Sequence, residues 1–320
     1  MCAKVYRGRD GKKKYEWMAT RLEYQLVAAA TGTPHADSFY IDTARGLSLL
    51  NRKLIRQGQL MRIKNLEVWG DTEEGTTANR RVKVTTIPTN WVARNSWVKG
   101  KAMFDQMNMN ALQDVGGSSM LPKYHDFKVY MNAAHKAQSP AALVPVDGDG
   151  IAISTTGSEW VYSEFSDSGA ASDNYDVKYL GAHDGTSTNY TCVGLIDAYR
   201  GSRLVPQVTD PILPSDLKTN PWKLLFSDDD QTNDIIDDLE TANDSPPYPP
   251  VVYVGDGTDD GGFSIGNTSV NKVGGTAMSR FRNFVAPCGL FRVEIDDDGN
   301  MSNVDIHISF DVEILGPMDM

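Results

Sequence analysis

From Asp305 to Leu315 the chain places an apolar side chain at every second residue: Ile306, Ile308, Phe310, Val312 and Ile314. Successive side chains of a strand point to opposite faces, so this run fits a β-strand with one buried face and no amphipathic helix. Two earlier segments repeat the pattern. Met61 to Trp69 alternates through nine residues, and Arg81 to Ile87 resumes the alternation after a polar stretch from Asp71 to Ala78, with Pro88 ending it. The polar stretch reads as a turn, which predicts that the two strands pair with each other. Further strand candidates are Phe127–Met131, Ala142–Val146, Glu159–Phe165, Val177–Leu180, Thr191–Ile196, Val251–Val254 and the longer run Phe281–Ile295. Phe39–Asp42 and Leu47–Leu50 each suit a strand or a helix, and Glu16–Thr31 fits either period.

One segment breaks the pattern. After Thr89 and Asn90, both good N-cap types, residues 91–112 place Trp91, Trp97, Val98, Phe104, Met107, Ala111 and Leu112 at helical spacings, with Gly100 as a weak point. Asn220-Pro221-Trp222 starts a second helix candidate, which the prolines at 246–250 end. About eight strands over most of the chain, irregular connections and helices in the loops predict an all-β fold: an antiparallel jelly-roll sandwich. Two jelly-roll barrels in one chain are the alternative. The domain reading is a basic amino-terminal arm, 1–15, followed by one domain, 16–320, with long decorated loops.

Charge adds a second constraint. The net −11 hides a split at Met103: residues 1–103 carry 19 basic and 9 acidic side chains, a surplus of ten positive charges, and the remainder carries a surplus of 21 negative ones. Opposite potentials on one molecule are expected where one face meets a polyanion. Lys4, Arg7, Arg9, Lys12, Lys13 and Lys14 concentrate the positive end with Asp10 as the one acid among them. Such an arm contacts phosphate backbones by counterion release and needs no fixed structure; a solubilising tail is the plain alternative. No run of the chain has the length and apolarity of a membrane-spanning helix, and the amino terminus lacks a secretory pattern.

Motifs for catalysis are missing. His35, His125, His135, His183 and His307 are dispersed, and no nucleophile elbow, phosphate-binding glycine loop or dinucleotide fingerprint occurs. Cys2, Cys192 and Cys288 read as isolated thiols. The chain is therefore read as a non-enzyme without an obligatory cofactor. Acidic glycine loops remain: Asp147 and Asp149, Asp256 to Asp260, and Asp296 to Asp298. Each combines hard oxygen ligands with glycine, so Asp256 and Asp260 are named as a possible Ca2+ site between subunits, although none completes a calcium-loop pattern and solvated turns explain all three.

The basic arm, the eight-strand pattern, the run Arg280-Phe281-Arg282-Asn283-Phe284-Val285-Ala286-Pro287-Cys288-Gly289-Leu290 and the segment IPTNWVARNSWVKGKAMFDQMN at 87–108 together resemble capsid proteins of small icosahedral viruses, particularly environmental single-stranded DNA viruses. The resemblance covers about 36–130 and 275–316. It implies a virion protein that assembles with many copies of itself around packaged nucleic acid, with residues 1–14 and the basic face of the 91–112 helix inside. The arm is shorter than that of capsid proteins that neutralise a genome alone. A two-barrel relative with an internal membrane would instead present it to anionic headgroups. Two other classes fit the residues: a secreted-type carbohydrate-binding or hydrolytic β-sandwich, with Trp160, Tyr162, Tyr190 and Tyr248 as a sugar platform, and a fibre or appendage protein.

Overall fold

The computed structural model describes residues 2–7, 13–27, 35–114, 116–117, 120, 122–138, 143–166, 174–186, 189–203, 247–249, 252–297 and 305–318. Met1–Tyr199 with Val254–Met320 form one unit and Arg200–Tyr253 a second; the helix candidate after Asn220 lies outside the described residues. In chain order the elements are strands β1 (Cys2–Arg7), β2 (Lys13–Met18), β3 (Arg21–Val27) and β4 (His35–Asp42), helix α1 (Thr43–Asn51), strand β5 (Gln59–Thr86), helices α2 (Trp91–Asp114) and α3 (Ala133–Ala137), strands β6 (Glu164–Ser166), β7 (Asn174–Lys178), β8 (Asp184–Thr186) and β9 (Asn189–Gly194), helix α4 (Leu195–Gly201), then strands β10 (Phe263–Phe281), β11 (Phe284–Pro287), β12 (Leu290–Asp297) and β13 (Asp305–Pro317). The protein is mostly β, with antiparallel pairing throughout its main sheet.

Strand β5 organises that sheet. Its first part, Gln59–Gly70, lies between β13 on one edge and β11 with the end of β10 on the other; its last part, Arg80–Thr86, lies between β12 and the start of β10. β3 extends the first group by pairing with β13, and β4 extends the second by pairing with β12. Phe291 is opposite Thr86, whereas Phe310 falls beside Leu66, so a straight β5 would hold these two sites roughly 65 Å apart. Their rings lie edge-on with centroids 5.2 Å apart. The sheet is therefore folded over on itself, and both groups of strands face one core.

Alternation explains who fills that core. Leu22, Tyr24 and Leu26 of β3, Val82 and Val84 of β5, Phe291, Val293 and Ile295 of β12, and Ile306, Ile308, Phe310 and Val312 of β13 are all buried in one cluster. Within β5 the alternation changes phase: Met61 and Ile63 point inward, then Leu66 and Val68. Asn65, with a left-handed backbone (φ 50°), supplies the extra residue, and the register with β13 shifts at the same point. This bulge turns Trp69 outward, where its ring stacks on His307 at 5.4 Å. The nine-residue alternation read from sequence is thus two runs of opposite phase.

Other strand expectations are corrected. The 61–69 and 81–87 segments do not pair with each other; the polar stretch between them is extended backbone, and both pair with β10. Leu47–Leu50 is helical, in α1, capped by Asp42, and Glu16–Thr31 contributes β3 and the end of β2. Val252–Val254 is not a strand. Phe127–Met131 alternates buried and less buried residues as a strand does, yet most of its amides bond side chains: Lys128 N donates to Ser163 Oγ (2.9 Å), Val129 N to Gln57 Oε1 (2.6 Å) and Met131 N to His135 Nδ1 (2.9 Å). A sheet partner is unnecessary where each amide has an acceptor.

Helix α2 begins as expected, with Asn90 Oδ1 accepting from Ala93 N. It buries Val92, Ala93, Ser96, Trp97, Gly100 and Phe104. Trp97 lies over Gly58, where any Cβ would fall 2.2 Å from its ring. Four shorter strands form a separate sheet in the order β6-β7-β9-β8, with β7 and β9 parallel. The turn from β11 to β12 places Cys288 and Gly289 at positive φ (57° and 68°), and a Cβ on Gly289 would meet Met61 Sδ at 2.7 Å. Gly289→Ala is expected to cost about 1–3 kcal/mol from backbone strain and overpacking together, read by urea denaturation. A cost below about 0.5 kcal/mol would contradict this account of the turn.

Candidate functional site

Of the six basic residues assigned to the arm, Lys4 and Arg7 lie in β1 and Lys13 and Lys14 in β2; Arg9 and Lys12 lie outside the described residues. The segment that needed no fixed structure is paired backbone. The hairpin register sets Arg7 opposite Lys13 and Tyr6 opposite Lys14, with Lys4 opposite Glu16. Pairing thus gathers four of the cations on one two-stranded ribbon.

Two of the three acidic loops are turns, whereas Asp296 and Asp297 are paired residues of β12 and Asp298 lies outside the described residues. Asp147 Oδ1 accepts from the amides of Asp149 (3.0 Å) and Ile151 (2.9 Å). In the 255–260 turn Gly255 and Gly257 have positive φ, Asp259 Oδ2 accepts from Gly255 N, and the Asp260 carbonyl accepts from Asn132 Nδ2. Asp256 is 5% exposed. Among the described residues no group of three or more His, Cys, Asp and Glu side chains converges on a possible metal position.

A buried polar hub, unforeseen in the sequence, lies where the segment after α2 meets the sheet. Asp42 ends β4 and caps α1: its Oδ1 accepts from Arg45 N at 3.1 Å. Its Oδ2 accepts from Gln57 Nε2 (3.1 Å), Trp160 Nε1 (3.2 Å) and Tyr162 Oη (3.2 Å). Burial raises the Asp42 carboxyl above its usual value, with these donors acting in the opposite direction. Burial likewise holds Tyr162 far above its ordinary value, so it remains an O–H donor.

Beside Asp42, His135 stacks on Tyr40 (5.2 Å) and meets Tyr130 and Tyr162 edge-on. Its Nδ1 accepts a backbone amide, and burial pushes its pKa down to about 3, so the imidazole is neutral. Asn132 completes the hub by capping α3 and donating to Tyr40 Oη. The void enclosed by Tyr24, Tyr40, Asp42, His135 and Tyr162 is about 10 Å³, the space of about one water. The hub fastens two segments together and has no room for a substrate.

Sequence offered one clue to it: Asp42 precedes an amphipathic run as an N-cap does. Nothing in the sequence linked Asp42 to Gln57, His135 or Trp160. The sugar platform loses two of its rings here. Tyr162 is 5% exposed with its hydroxyl committed to Asp42, and Trp160 is partly buried with its indole N–H on the same carboxylate. Cys192 and Cys288 are buried free thiols, and burial raises both.

Compared with known proteins, the chain matches no family model, no curated protein and no solved structure.

Proposed function

We propose that the chain is a capsid subunit of single jelly-roll type, a non-catalytic virion protein that assembles with copies of itself into a closed shell around nucleic acid. The observation that carries the reading is the pairing order. Taking the two parts of β5 and of β10 separately, one layer runs β3, β13, first β5, last β10 with β11; the other runs β4, β12, last β5, first β10. Eight segments in chain order pass between two four-stranded layers, changing layer at every step except from the last part of β5 to the first part of β10, with first beside last; this order supports the double Greek key reading.

Shell subunits need a rigid sandwich, large surfaces for neighbours and a face compatible with a polyanion. The folded sheet supplies the first. The 176 residues between β5 and β10, with α2, the small sheet and the second unit, supply the loops. The paired cations of β1 and β2 supply the third. We favour one barrel over two because eight main-sheet segments are used in a single sandwich, and the other larger sheet among the described residues has only four short strands. With one barrel, the basic hairpin is assigned to nucleic acid rather than an internal membrane.

Negative-stain electron microscopy with light scattering, on the chain expressed alone at low and high salt, tests the reading. Closed particles of uniform diameter are expected. A monomer at both salt concentrations would overturn it, and fibres would replace it with the appendage reading.

A further inference from the structure

Beside α1 lies a groove of about 400 Å³ that the capsid reading does not use. Arg45, Arg52 and Lys53 line one side, Lys128 and Trp160 the other, and Glu159 is the only carboxylate in its wall. A second cavity of about 470 Å³ shares Tyr124, Lys128 and Glu159 with it and adds Asp126 and Glu164 to its own wall; each is of the size that holds small ligands.

Lys128 is the unusual member. It is 7% exposed, yet among the described residues its ammonium makes no hydrogen bond and no ion pair. Its Nζ lies 4.8 Å from the centre of the Trp160 ring, and that ring is held by the Trp160–Asp42 hydrogen bond. Asp126, the nearby carboxylate, is already paired with Arg56. The Lys128 ammonium faces the groove with a cation–π contact and no ion-paired carboxylate, so an anion in the groove would meet an uncompensated positive charge. Arg45 and Arg52 also form no ion pair among the described residues, and Arg52 is exposed at the left-handed C-cap of α1. Tyr124, 64% exposed and lining both cavities, adds an aromatic ring with Lys123 Nζ 5.4 Å from its centre, so one face lies under a cation and the other is left for a base.

We propose that this groove binds a nucleotide unit, its phosphate held by Lys128, Arg45 and Arg52 and its base stacked on Tyr124. The inference rests on the groove alone and is measured on unassembled subunits, so it stands or falls separately from shell formation. The probe is a fluorescein-labelled oligothymidylate read by anisotropy at several salt concentrations, with AMP and inorganic pyrophosphate as competitors. Lys128→Met, Arg52→Asn and Tyr124→Ala are each expected to weaken binding roughly tenfold, and the two charge removals to reduce the salt slope by about one each. Arg282→Gln, at an exposed position between β10 and β11, is expected to bind as the unaltered chain does.

Arg52→Asn and Tyr124→Ala alter surface positions, and asparagine suits the backbone at 52; they carry the test if Lys128→Met fails to fold. Displacement by AMP assigns the groove to free nucleotides, and retention of the oligonucleotide against AMP assigns it to a strand; both support the proposal. Unchanged affinity in the three variants, equal weakening by Arg282→Gln, or displacement by pyrophosphate as readily as by AMP would overturn it.

Discussion

Asp42→Ala is expected to lower the unfolding free energy by about 3–5 kcal/mol, because it strands several buried donors at once. Gln57, Trp160 and Tyr162 all donate to Oδ2, and Arg45 N donates to Oδ1. The void beside Asp42 and Tyr162 is about 10 Å³, the space of about one water, so it can replace at most one of these partners. Asp42→Asn separates the contributions. With its oxygen on Arg45 N, the amide presents NH2 to three donors; flipped, it serves the three but gives up the helix cap, a loss of about 1 kcal/mol. Asparagine is therefore expected to cost less than alanine. Urea denaturation of both variants measures the order, and an Asp42→Ala cost within about 1 kcal/mol of zero would mean that the hub does not hold the segments together.

His135 gives the second large effect, as a pH dependence. Its folded pKa of about 3 lies below the ordinary 6.5, since burial disfavours the imidazolium. Between these values the unfolded chain binds a proton that the folded chain refuses. The stabilisation is thus complete above pH 6.5 and is lost as pH falls toward 3. From about pH 7 to about pH 4.5 this one group removes roughly 3 kcal/mol of stability. Asp42 works in the other direction: its raised pKa makes the folded state lose stability as pH climbs above 3.8. The test is therefore differential. His135→Gln keeps an acceptor for Met131 N and removes the titration, so it should lose roughly 3 kcal/mol less than the unaltered chain over that interval. Equal losses in both proteins would show that His135 is not buried neutral.

How much of this was legible depended on whether the deciding interactions were local. β13 and α2 were, because a period of two or a capped amphipathic run is written in consecutive residues. The phase change at Asn65 was not: it shows only when Leu66 and Val68 are seen facing the same core as Met61 and Ile63. The stretch 71–78 has turn composition but continues a strand, because β10 pairs alongside it. Phe127–Met131 has strand composition but only a single bridge, at Tyr130 to Lys178, since three of its amides are taken by Gln57, Ser163 and His135, one of them 72 residues away. The hub was illegible for the same reason. Its members are ordinary residues one by one, and what distinguishes them is a shared carboxylate.

Thr86 and Phe263 are directly paired, so the chain leaves the sandwich after β5 and returns to it in β10 at a single point. The sandwich behaves as a socket, and the inserted segment of the same unit that carries Trp160 and Tyr162 as a plug. The entropic cost of closing a longer plug grows slowly, about 0.6 kcal/mol per doubling, so its length is nearly free to vary. Its chemistry is not. Asp42 and Gln57 belong to the socket, and Trp160 and Tyr162 arrive with the plug. Any region exchanged at this point, by recombination or by design, must bring replacements for two of that carboxylate's donors or leave it buried with Gln57 and the Arg45 amide alone.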